Sequence, residues 1–140
     1  VTNEATTKTI AARKRIKSHL KKRGEELLDV TPTFVLHWWY QLNHAVFRGI
    51  LYPPKDIVCR NFRDGSYGWT SPVLRTDDVI MGVRRQLEDR KQFITVLVHE
   101  MVHQYEWVYH RRMSHGQNFY EWAPLIKREL NLPLSEYIDD

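Results

Sequence analysis

Apolar side chains recur at helical spacing over four stretches of this chain, and three shorter runs are strand-like. From residue 7 to 29 only Gly24 interrupts a helix-compatible run. Ile16, Leu20 and Leu27 fall on one side and Lys14, Lys17 and Lys21 on another, which predicts an amphipathic helix docked on the body with its basic face outward. Thr31-Pro32 predicts the next helix start: Thr caps it, and Pro occupies the first position, where a missing N–H costs nothing. Phe34, Trp38, Leu42, Ala45 and Val46 then form an apolar stripe, read as core, which Gly49 ends before the connector Tyr52-Pro53-Pro54.

Strand-like runs follow at residues 56–62, 67–71 and 79–84, separated by Asp64-Gly65 and Ser71-Pro72. The Asp64-Gly65 pair favours a tight hairpin turn. Helical spacing returns over residues 88–109, with Phe93, Val96, Leu97, Met101, Val102 and Tyr105 as the apolar positions. A polar loop at 111–116 leads into a last helix carrying Phe119, Ala123, Ile126 and Leu130, closed by Pro133. The expected class is α+β: N-terminal helices, a small three-stranded antiparallel sheet, a long helix and a C-terminal helix.

Charge divides this picture in two. Residues 1–24 carry eight Lys/Arg and one acid, a net of +7, while the remainder carries −3. The basic character therefore belongs to the first helix, where Arg13, Lys14, Lys17, Lys21 and Lys22 are the candidate contacts to a phosphate backbone; a merely solvated helix face is the competing explanation. No apolar run approaches the ~20 residues of a membrane helix, so no membrane partner is expected. Cys59 is the single cysteine, which excludes a disulfide framework and a cysteine-based zinc ribbon. With no apolar leader at its start, the sequence is expected to work inside the cell, in the cytoplasm or at the nucleoid or nucleus.

The chemistry concentrates in His99-Glu100-Met101-Val102-His103. Two histidines four apart on a helix project from one face, the separation at which two imidazoles share a Zn²⁺ ion at ~2.0–2.1 Å. Glu100 stands beside the first of them, placed to take a proton from a water that such an ion would acidify. A catalytic zinc also needs a third protein ligand. His110 returns to the same helical face, but an unbroken helix puts it ~10 Å beyond His103 along the axis. His115 is better placed, because Gly116 lets the chain turn back after the polar loop. Glu121, on the following helix, is the other candidate.

These elements together resemble the SprT-like (Spartan) metalloprotease family. The resemblance spans roughly residues 34–130 and is carried by Asn43 and Phe47 on the early helix, by Val96-Leu97-Val98-His99-Glu100-Met101-Val102-His103, and by His115-Gly116-Gln117-Asn118-Phe119. It implies a zincin-like domain over residues 31–140 preceded by the basic helix at 1–30. It implies Zn²⁺ on His99, His103 and His115 with Glu100 as general base. It further implies that the substrates are DNA-bound or DNA-crosslinked proteins, with DNA controlling cleavage, and the basic helix is then the expected DNA contact. A nucleic-acid-binding module with a structural zinc and no proteolytic activity is the alternative; Glu100 argues against it, since a structural site has no use for a base. Residues 79–83 are the expected substrate-holding edge strand, with an ordinary interior strand as the competing expectation. Trp69, Trp107 and Tyr109 receive no role, and Tyr120 is a weak candidate for supporting an oxyanion.

Overall fold

A computed structural model describes residues 6–22, 24, 27–113 and 117–134, of which 117–120 as backbone alone. Helix α1 (Thr7–Lys21) begins where the Thr6 hydroxyl accepts the Thr9 N–H at 3.1 Å. Thr9, Ala12, Ile16 and His19 recur every three or four residues and are its buried face, laid against α2 (Pro32–Ala45). Burying a side chain such as Ile16 is worth roughly 1.5–3 kcal/mol, which is how a helix so rich in lysine stays docked. The expected continuation of α1 to residue 29 is not seen. The helix stops at Lys21, Leu27 is exposed, and Leu28–Asp29 form a short strand, β1.

His19 is buried at this junction, its ring stacked on Trp38 with centroids 4.0 Å apart. Burial, then the charges of Arg90 and Lys22 and the ring of His37, lower its pKa from 6.5 to about 4. As pH falls, the unfolded chain therefore takes up this proton first, and stability is lost from about pH 6.5 down to about pH 4. Discounted for solvent screening, that loss amounts to roughly 2 kcal/mol. His19→Phe, which keeps a ring on Trp38, is expected to remove it. Denaturant melts of both proteins at pH 7 and pH 5 test this; equal pH dependence in the two would reject it.

Thr31 caps α2 as its sequence foretells, accepting the Phe34 N–H at 3.2 Å with Pro32 in the first turn. Val35, Trp38, Trp39, Leu42 and Ala45 are buried. Asn43, also buried, holds the connector in place: its amide donates to the Leu51 carbonyl at 2.9 Å and its carbonyl oxygen accepts the Leu51 N–H at 3.1 Å.

The main sheet joins β2 (Asp56–Arg60), β3 (Gly68–Pro72) and β4 (Val79–Arg84) in the order β2-β4-β3. It is mixed: β4 runs antiparallel to β3 and parallel to β2. This corrects the expected antiparallel sheet. A parallel pair needs a crossover, and β3 with its flanking loops supplies it. Asp64-Gly65 turns the chain within that crossover and does not close a hairpin, because β2 and β3 are not neighbours. The true hairpin joins β3 to β4 through residues 73–78, where the Val73 N–H meets the Asp78 carbonyl at 2.9 Å. A second correction follows: residues 79–83 lie in the central strand, paired on both sides, and offer no edge to a substrate. A smaller ladder pairs β1 with β5 (Gln86–Leu87).

Alternation gives the sheet one inward face, Ile57 and Cys59 on β2, Met81 and Val83 on β4, and Gly68 and Thr70 on β3. Burial pushes the Cys59 thiol up to about 11, so it stays protonated at neutral pH. Helix α3 (Arg90–His110) packs under this face, chiefly against β3. Asp89 caps it by accepting the Gln92 N–H at 2.8 Å, and Gln92 reaches back to the Glu88 N–H at 2.7 Å, a reciprocal capping arrangement. Every residue from Gln92 to Gln104 is buried, so α3 is the central element, covered by the sheet, α2 and α4 (Gln117–Leu130). Among the described residues no helix is long and apolar enough to cross a membrane.

Candidate metal centre

His99, Glu100 and His103 sit in the buried middle of α3, with 3%, 1% and 6% of their surface exposed. The two imidazole centroids are 4.9 Å apart with planes at 82°, so the rings converge edge to face rather than stacking. His103 places Nδ1 3.3 Å from Oε1 of Glu106, one helical turn on and fully buried. A carboxylate only accepts, so Nδ1 is the nitrogen carrying hydrogen, and the lone pair of that ring lies on Nε2. The Arg112 guanidinium lies 3.8 Å from the other Glu106 oxygen and balances its charge. Glu106 is a site residue that the sequence reading passed over, although its position three residues after His103 carries the signal.

Glu100 is held from the sheet. The Thr70 hydroxyl on β3 lies 2.8 Å from Glu100 Oε1 and 3.2 Å from the Glu100 carbonyl oxygen. Glu100 Oε2 lies 4.0 Å from His99 Nε2. Strand and helix can approach this closely because residue 68 has no side chain: a Cβ there would fall 2.8 Å from Val96 Cγ1 and 3.2 Å from Glu100 Oε2. The β3–β4 hairpin is pinned further along α3 as well. Trp107 Nε1 donates to the Thr76 carbonyl at 3.0 Å, and Arg111 pairs with Asp77. On the opposite side, Gln104 accepts the Trp39 indole N–H at 3.0 Å and donates to the Tyr52 carbonyl at 2.7 Å, fixing α3 between α2 and the connector.

The donor chemistry fits a zinc ion: two buried imidazoles on one helix face, one already oriented by a carboxylate, with a second carboxylate beside them. Among the described residues no third His, Cys, Asp or Glu joins them in a metal-holding group. His110 ends α3, exposed, with its ring 6.0 Å from that of Tyr105. Glu121 is exposed on α4 and lines a cavity of about 490 Å³ with Phe47, Tyr105 and Trp122. The Tyr105 hydroxyl is raised above its ordinary value, first by burial and then by the Glu121 charge. His115 and Gly116 lie outside the described residues, as do the side chains of Phe119 and Tyr120.

The basic helix is sorted by the fold. Lys8, Lys14, Lys17, Lys21 and Lys22 are exposed. Arg13 instead faces the body, donating to the Ala45 carbonyl at 2.9 Å and pairing with Glu129 on α4 at 3.2 Å. Lys17 and Lys21 line a shallow cavity of about 310 Å³ together with Lys91 from the first turn of α3. Lys91 extends the basic face, and nothing local in the sequence links it to α1.

The model of the SprT-like family matches residues 36–137, a span that contains all of α3 and the position of His115. Proteins of this family are generally metalloproteases and typically bind zinc. None of the curated proteins compared with the chain matches it. The helix with its H-E-x-x-H motif, the small sheet above it and the family match agree, and the chain belongs to the SprT-like family.

Proposed function

We propose that this chain is a zinc-dependent endopeptidase acting on DNA-bound or DNA-crosslinked proteins, with His99, His103 and His115 as metal ligands and Glu100 as general base. The observation that carries the reading is the buried trio on α3, in which two converging imidazoles stand beside one oriented carboxylate. A zinc ion bound there would polarise the scissile carbonyl and acidify the attacking water. Glu100 Oε2, on the His99 side, takes the proton of that water and returns it to the leaving amine. Glu106 holds His103 through Nδ1, so that Nε2 would be the nitrogen that binds the metal.

An extended substrate can add to β3 at this site. β3 lies at the sheet edge, pairs only with β4 among the described residues, and packs directly on α3. Main-chain pairing along β3 would hold a polypeptide with little demand on its sequence. That tolerance suits an enzyme that must cut whatever protein is attached to DNA.

Recruitment falls to Lys14, Lys17, Lys21 and Lys22, with Lys91 beside them. Contacts to phosphate release counterions, so affinity falls steeply with salt. Changing Lys14, Lys17 and Lys21 together to Glu is expected to abolish DNA binding and DNA-stimulated cleavage while leaving the fold intact. The test is cleavage of a basic DNA-binding protein by the zinc-loaded chain, with and without DNA, for wild type and the triple variant. Unchanged DNA affinity in the variant removes the recruitment role. Cleavage by wild type that ignores DNA keeps the peptidase and removes the DNA-associated substrate.

A further inference from the structure

We propose that Thr70 is a positioning residue that decides which oxygen of Glu100 does the chemistry; the proposal rests on the reading of Glu100 as the general base. Position 70 faces α3 from an apolar stretch of the sheet, opposite Met81 on β4. Valine would fill the same volume and suits a strand better on packing grounds. Threonine differs by one hydroxyl, and that hydroxyl is directed at Glu100: 2.8 Å from Oε1 and 3.2 Å from the carbonyl oxygen. Its single proton is best satisfied by the nearer, charged acceptor.

The consequence is a division of labour within one carboxylate. Oε1 is engaged by the strand, while Oε2 lies 4.0 Å from His99 Nε2. The contact restrains the terminal torsions through which a glutamate can exchange its two oxygens or turn its carboxylate. Gly68, two residues earlier on the same face of β3, completes the cradle. It leaves the space into which Glu100 Cγ and Oε2 fit, each 3.2 Å from where a Cβ would stand. The strand proposed to receive substrate is thus also the strand that sets the base. Misplacing a catalytic group by about 1 Å can cost ~10²-fold in rate, so one hydroxyl is enough to matter.

The test uses the full zinc-loaded chain with Thr70→Val and Thr70→Ser, measuring zinc content, kcat and KM separately, and the crystal structure of Thr70→Val. The expected result is a kcat lowered about 10- to 100-fold in Thr70→Val, with KM within about twofold and zinc retained. Thr70→Ser, which keeps the hydroxyl, is expected to recover kcat to within about threefold of wild type. Wild-type kcat in Thr70→Val overturns the proposal, as does a Thr70→Ser variant no better than Thr70→Val. If wild type itself cleaves nothing, the peptidase reading fails, and the crystal structure still decides the positioning role. A Glu100 carboxylate that has moved in Thr70→Val supports it, and one that has not overturns it.

Discussion

Replacing Glu100 with Gln is expected to leave zinc binding intact and to lower kcat for protein cleavage by about 10²–10⁴. Gln is the same size, keeps an oxygen for the Thr70 hydroxyl to donate to, and leaves the buried apolar surroundings of α3 undisturbed. What it loses is the ability to accept and return a proton. The effect should therefore fall on kcat and kcat/KM alike, with KM little changed, the pattern of an interaction made in the transition state. Folding provides a control: the variant should match or exceed wild-type thermal stability, because it removes a charge from a site with 1% exposure. A variant that cleaves at the wild-type rate would exclude Glu100 as the base.

The second large effect is expected at Glu106. His103 Nδ1 and Glu106 Oε1 are 3.3 Å apart, and the carboxylate is fully buried. This contact fixes the His103 tautomer and strengthens Nε2 as a donor, and losing such a partner typically weakens metal affinity ~10–100-fold. Glu106→Gln is expected to show that loss in a competition titration against a zinc chelator, because a Gln side chain is a weaker acceptor and can present its amide instead. Arg112→Ala, which removes only the partner 3.8 Å from the other oxygen, should weaken zinc far less. Unchanged zinc affinity in Glu106→Gln, with stability alone reduced, would leave Glu106 a structural partner of His103 and Arg112.

The helices were legible because their signals are local. Thr31-Pro32 marks the start of α2, and the long helix runs over Arg90–His110 where spacing gave 88–109. Asp89 and Gln92 account for that start once the reciprocal cap is recognised. The H-E-x-x-H motif was legible for the same reason, since its geometry is that of a single helix. Pairing between strands is a different matter. Short apolar runs bounded by turn residues located β2, β3 and β4 but say nothing of neighbours, and Asp64-Gly65 suggested a hairpin where the sheet inserts β4 between the flanking strands. Leu28–Asp29 form a strand only because Gln86–Leu87 lie opposite, so the helical pattern that reached residue 29 carried no warning. Thr70 and Gly68 escaped notice in the same way, for they meet Glu100 across 30 or more positions of sequence, on a strand whose own pattern is unremarkable in composition. The fold likewise turns Arg13 to the Ala45 carbonyl and Glu129, leaving the lysines to carry the outward charge of α1.

The most direct test of the central claim is to strip the metal from the chain, reload it with a stoichiometric amount of Zn²⁺, and follow cleavage of a basic DNA-binding protein at each stage with and without DNA. Cleavage that disappears with the metal, returns with one zinc per chain and is absent from Glu100→Gln is the predicted result. One tightly held zinc per chain, with no cleavage of the protein under any of these conditions, would contradict the account and point to a structural metal.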